Sequence, residues 1–113
     1  MVRDCLFCGV VGGAVPADVV VEGERVLALR DINPQAPTHV LVIPRTHHPD
    51  VAALAAADPA ALAELVVVGA RIAAADADGQ FRLVFNTGEQ AGQTVFHAHG
   101  HVLAGRSLQW PPG

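Results

Sequence analysis

The chain has 113 residues, 51% of them hydrophobic, and a formal net charge of −4, which fits one compact domain over residues 1–113 and excludes a disordered chain. All seven basic residues are Arg, spread from Arg3 to Arg106 with no two adjacent, so no polybasic stripe serves a nucleic-acid backbone or an anionic bilayer, and neither is expected as a partner. No apolar run reaches the roughly 18 to 20 residues that span a bilayer, and Asp4 stands where a signal peptide begins its apolar segment, so the expectation is a cytoplasmic protein.

Arg3–Val11 reads as a short helical turn carrying Cys5 and Cys8. Strands are expected over Asp18–Glu22, Arg25–Asp31 and His39–Ile43, segments rich in β-branched and aliphatic residues and bounded by Gly, Pro or Asn. A short helix, about Asp50–Ala56, opens with Asp after Pro49. The long helix is expected over Asp58–Asp78, with Asp58 as N-cap, Pro59 in the first turn and Gly79 as the stop. Its apolar face reads as Leu62, Leu65, Val66, Gly69, Ile72 and Ala73. Strands Phe81–Asn86 and Val95–Leu103 follow. This order is α+β: a five-stranded, mostly antiparallel sheet with one long helix on one face and a short N-terminal helix.

All six histidines lie between positions 39 and 101, and three alternate at His97, His99 and His101. On a strand rising about 3.3 Å per residue they line one face, while Phe96, Ala98, Gly100 and Val102 face the helix. Three imidazoles in a row are costly to bury idly, because each needs hydrogen-bond partners. Two chemistries suit the row: three ligands to a catalytic metal, or a nucleophilic imidazole helped by its neighbours. Gly92, Gln93 and Thr94 precede it and Asn86 ends the neighbouring strand. Backbone N–H groups, amides and a hydroxyl there suit a small anion such as phosphate, which favours the nucleophile. A plain hairpin turn is the alternative for Gly92 and its neighbours.

The segment QTVFHAHGHVL, Gln93–Leu103, resembles the signature of the histidine triad superfamily, and RDINPQAPTHVLVIPRTH, Arg30–His47, with the ending WPPG, Trp110–Gly113, resembles its nucleotide-binding protein branch. The resemblance implies a homodimeric α+β fold that binds purine nucleotides and hydrolyses nucleoside phosphoramidates. By position it makes His99 the nucleophile and sets His101 against the phosphate and leaving group. Asn86, Gly92, Gln93 and Thr94 supply further contacts, Asp31 holds the ribose hydroxyls, and Ile32 walls the base. Trp110 corresponds to an aromatic that in such dimers reaches towards the partner's active site. Transferase relatives carry Gln in place of the third His, so His101 implies hydrolysis. Ala98 and Gly100 are smaller than the signature's usual residues, which leaves room on the core face and a looser strand. Thr94 stands where relatives often have Ser.

Cys5-Leu6-Phe7-Cys8 admits a metal pair, two buried thiols or a redox pair. Some bacterial histidine triad proteins join such a motif to two histidines that correspond to His47 and His97, which implies a structural zinc held by Cys5, Cys8, His47 and His97; His48 is the alternative to His47. His48 reads otherwise as an exposed loop residue, and His39 as a hydrogen-bonded structural histidine. Two rival functions remain. One is a zinc metallohydrolase built on His97, His99 and His101, although no Glu stands near as its base. The other is a dimeric nucleotide-binding or scaffolding module with incidental turnover.

Overall fold

The computed structural model describes residues 5–113, so Arg3 and Asp4 of the expected N-terminal turn lie outside the described residues. Helix α1 spans Leu6–Val11, strands β1 to β3 span Val19–Glu22, Val26–Arg30 and Thr38–Pro44, and helices α2 and α3 span Val51–Ala57 and Pro59–Asp76. Strand β4, Phe81–Val84, a 3₁₀ turn, Glu89–Ala91, and strand β5, Gly100–Ala104, complete the chain order. The strands form one sheet in the order β1-β2-β3-β5-β4, and every neighbouring pair is antiparallel.

Local chemistry accounts for the helix starts. The Asp50 carboxylate accepts from Ala53 N–H at 2.9 Å and Asp58 from Ala61 N–H at 3.1 Å, each taking a donor that the first turn leaves unpaired. Pro59 fits the first turn of α3 because its missing N–H would have no partner there. At the other end the N–H groups of Ala77 and Gly79 both donate to Ala73 O.

Alternation along the two inner strands divides the core into two layers. Val26, Ala28, Val40 and Val42 pack with Leu65, Val68, Ile72 and Val102 beneath α3. Leu27, Leu29, Leu41 and Ile43 point the other way and pack with Phe7 and Val10 of α1. Both faces of β3 are therefore covered, which is why Thr38–Pro44 reads as a nearly continuous apolar run and is buried throughout.

Three expectations need correcting. The buried face of α3 is Ala61, Leu65, Val68, Gly69, Ile72 and Ala73. Val66 sits about 100° around the helix from Leu65 and is exposed with Val67, while Leu62 packs at the margin of the core. The last strand begins at Gly100 rather than Val95, so His97 and His99 precede it. The ladder to β3 ends at Val42 opposite Gly100. Beyond it Ala98 N–H donates to His48 O at 2.7 Å, and Pro44, with no N–H of its own, gives its carbonyl to the His97 ring. Phe96 is exposed, whereas Ala98 and Val102 do face α3.

Gly100 leaves no open space on the core face. A Cβ at Gly100 would lie 2.9 Å from Leu83 Cδ1 and 3.1 Å from both Leu65 Cδ2 and Phe85 Cε1. Larger neighbours have closed over the small residue. At Gly69 the same test meets Val102 Cγ2 at 3.0 Å, so α3 approaches β5 closely because it carries glycine there.

Candidate active site

The three triad histidines have separate partners. The His97 ring is fully buried, and its Nε2–H donates to Pro44 O at 2.8 Å, leaving Nδ1 with the lone pair of a neutral ring. That Nδ1 lies 3.3 Å from Cys5 Sγ, 3.5 Å from Cys8 Sγ and 3.2 Å from His47 Nδ1, and Cys8 Sγ lies 3.4 Å from His47 Nδ1. The group is one of four convergent ligand atoms. A tetrahedral zinc with bonds of about 2.0 to 2.3 Å holds its ligands roughly 3.3 to 3.8 Å apart, so the spacing and the mixed sulfur and nitrogen set fit that ion. Burial and then Cys5 push the Cys8 thiol above its ordinary value, a preference that a bound cation would reverse. His48 is not in the group; it is half-buried and fixes Ala98 through its carbonyl.

His99 turns the other way. Its Nδ1–H donates to the carbonyl of His97 at 2.8 Å, which puts the lone pair of the neutral ring on Nε2. His101 pairs through Nδ1 with His39 Nε2 at 3.0 Å, and Asp31 Oδ2 lies 3.4 Å from that same His39 nitrogen. The rings of His99 and His101 meet edge to face with centroids 5.1 Å apart. Burial foremost, then His99 and His39, pull the His101 ring down to about 4. Burial likewise lowers His39 and His97.

His99 and His101 line a cleft of about 630 Å³ together with Asp31, Ile32 and Thr94. Its apolar wall is Leu6, Phe7 and Val10 of α1 with Val15, Leu29 and Leu41. Sequence reasoning missed this wall. The signal was present in Leu27, Leu29, Leu41 and Ile43, a second apolar sheet face that needs a cover. It also missed the place of His39. The pairing of Leu41 with His101 sets His39 on the same face as the triad, and register is not visible in a single chain.

The loop before the triad uses several of its expected donors on its own shape. Gly92 N–H donates to Glu89 O and Gln93 N–H to Gly88 O. The buried Gln93 amide donates to Pro49 O at 2.7 Å and Val95 O at 3.1 Å, and its oxygen accepts from Gly88 N–H at 2.9 Å. Gln93 therefore holds the loop. Thr94 stays exposed on the cleft, and the Asn86 amide reaches to within 4.0 Å of where a Gly92 side chain would begin. Trp110 is 80% exposed, lines no part of the cleft, and lies 6.0 Å from the Arg82 guanidinium carbon.

Among the described residues no ligand set joins His97, His99 and His101: His97 belongs with the cysteines, His101 with Asp31 and His39, and His99 with neither. The three-histidine metallohydrolase is thus left without an assembled ligand set among the described residues.

These features agree with what the chain is similar to. The chain belongs to the HIT domain family, which residues 13–108 match. An uncharacterized HIT-like protein of Synechocystis is 45% identical, with both chains covered in full. A HIT family hydrolase from Legionella pneumophila, known as a crystal structure, superposes with a TM-score of 0.91 at 43% identity, covering 97% of this chain and all of that one. A zinc-bound histidine triad family protein from Mycobacterium smegmatis reaches a TM-score of 0.78 at 39% identity over 91% of this chain and 76% of its own.

Proposed function

We propose that the protein is a nucleotide-binding hydrolase that cleaves purine nucleoside phosphoramidates of the adenosine 5'-phosphoramidate type to a nucleoside monophosphate and an amine. The observation that carries this reading is the bond from His99 Nδ1–H to the His97 carbonyl, which leaves Nε2 as a lone-pair donor on a side chain lining the cleft. In the first step Nε2 bonds to the α-phosphorus as the phosphorus–amine bond breaks, and the departing nitrogen takes a proton from solvent, to which the attacking water of the second step returns one. Water then attacks phosphorus and breaks the phosphorus–imidazole bond. Over the two steps water is divided, a proton going to the amine and hydroxyl to phosphorus. The His97 carbonyl supports the positive charge on the imidazole in between.

Asp31 and Ile32 are assigned to the ribose hydroxyls and the base, Thr94 and Asn86 to the phosphate, and His101 to the phosphate and leaving group, while Gly92, whose N–H donates to Glu89 O, shapes the loop that presents them. Gln93 serves by holding that loop. Zinc, held by Cys5, Cys8, His47 and His97, supplies a structural cross-link between α1 and the sheet. A homodimer is included in this reading, supported by the exposed Trp110 and by β4, which is an edge strand; sedimentation tests it. The whole chain acts as one domain. No described helix is long and apolar enough to cross a membrane, and two cysteines that form no disulfide suit the cytoplasm assigned in this reading.

The test is AMP release from an adenosine phosphoramidate by the wild type and by His99→Ala, each with and without a strong chelator. Turnover lost in the variant and kept by chelated, folded wild type supports the reading. Wild-type turnover in His99→Ala would sink it. Tight AMP binding with no turnover in any condition would favour the binding module.

A further inference from the structure

His39 reads from the sequence as a hydrogen-bonded structural histidine, and its two ring nitrogens join a backbone amide to a triad residue. Gln35 N–H donates to Nδ1 at 3.0 Å. A nitrogen that accepts from an N–H carries no proton, so neutral His39 carries its proton on Nε2. Asp31 Oδ2, 3.4 Å from that Nε2, favours the same arrangement. Nε2–H then donates to His101 Nδ1 at 3.0 Å, and an accepting Nδ1 leaves the proton of neutral His101 on Nε2. Among the described residues every buried side-chain nitrogen or oxygen has a hydrogen-bond partner, and none is formed by His101 Nε2. That atom is therefore accessible, on a residue that lines the cleft.

We infer that the backbone amide of Gln35, acting through His39, selects the tautomer of His101, so that His101 presents a fixed Nε2–H donor to the phosphoryl oxygens or the leaving nitrogen. The inference rests on the proposed phosphoramidate reaction and adds a positioning residue, His39, to it. No proton moves along the chain. Neutral imidazole would have to become imidazolate to give up its N–H, so His101 donates a hydrogen bond and is not the acid. His99 presents a lone pair and His101 an N–H, both set by bonds to backbone: His99 directly through the His97 carbonyl, His101 at one remove through the Gln35 amide. Adjacent rings with opposite tautomers offer the reacting phosphorus a nucleophile and its oxygens a donor without any change of protonation.

The experiment is a long-range proton–nitrogen correlation spectrum of zinc-loaded, ¹⁵N-histidine-labelled protein at neutral pH. The expected spectrum shows His39 and His101 both unprotonated at Nδ1 and protonated at Nε2. His101 in the other tautomer, or as a mixture, overturns the inference. Two variants extend it. His39→Gln keeps an N–H that can reach His101, and His39→Leu removes it. His39→Leu is expected to lower kcat by about tenfold or more with KM changed less, and to turn His101 into a tautomer mixture, while His39→Gln recovers most of the rate. An unchanged His101 spectrum and kcat in His39→Leu would count against the inference. Should that variant not fold, the wild-type spectrum and His39→Gln decide. The spectra need no turnover, so a protein inactive on phosphoramidates would undo the proposed reaction and leave the tautomer result standing.

Discussion

The Phe7 ring stands edge-on to the His99 ring, with centroids 5.0 Å apart, and edge-on also to His97 at 5.9 Å. One residue of α1 thus packs against both the proposed nucleophile and a proposed metal ligand, while Cys5 and Cys8 on either side of it belong to the group of four convergent ligand atoms. Phe7→Leu keeps an apolar wall and removes the aromatic edge. It is expected to leave the zinc content near one per chain and to lower kcat/KM roughly tenfold, about 1.4 kcal/mol of transition-state stabilisation. Steady-state kinetics with metal analysis on the same sample checks this. An unchanged kcat/KM would mean that the ring only fills space.

Zinc removal should separate stability from chemistry. The four ligand atoms join α1 to His47 after β3 and to His97 before β5. An ion bound only by the folded state adds roughly 4 kcal/mol when its free concentration is 1,000 times its Kd. Metal analysis of purified protein is expected to give close to one zinc per chain, falling sharply in Cys5→Ser. Thermal unfolding of the chelated protein should occur several degrees lower, with turnover kept wherever the protein is still folded. Fewer than about 0.2 zinc per chain in the wild type would remove the metal from the account.

The sequence discloses the ends of the long helix because Asp58, Pro59 and Gly79 act locally, through a side-chain cap, a missing N–H and a turn with φ of +87°. It discloses the triad because three histidines at alternate positions are hard to explain otherwise. The limits of β5 are set by tertiary partners: His97 and His99 leave the ladder because their own rings and the loop at His48 take up the hydrogen bonding. Gln93 shows the same limit. As a residue type it suits a phosphate, but its amide meets Pro49, 44 positions away, and Val95 instead. A hydrogen-bonding side chain states what it can do, and the fold decides to whom it is done.

Gly100 provides a test of the packing beneath the triad. A methyl group there would fall inside contact distance of Leu83, Leu65 and Phe85 at once. Overpacking of this kind costs about 1 to 3 kcal/mol. Gly100→Ala should lower the denaturant midpoint with little change in the denaturant slope. Leu83 makes the shortest contact, so Leu83→Ala should cost less in the Gly100→Ala background than alone. Strict additivity of the two changes would show that the space is open after all.

Acid should weaken the folded state through His39 and His101. Burial holds both rings below their ordinary value in the folded protein, His101 at about 4. The unfolded chain takes up these protons near pH 6.5 while the folded protein resists, so the unfolded state binds more protons and is favoured as pH falls. The stabilising difference is present in full above about pH 6.5 and is lost progressively as pH falls towards 4, where folded His101 also protonates. Urea midpoints measured at fixed zinc concentration between pH 7 and 5 should therefore decline for the wild type. His101→Gln keeps an oxygen to accept from His39 but cannot titrate, so its decline should be shallower. The difference between the two curves isolates His101 from the carboxylates and from any acid-dependent loss of zinc, which both proteins share. Parallel curves would mean that His101 titrates alike in the folded and unfolded states.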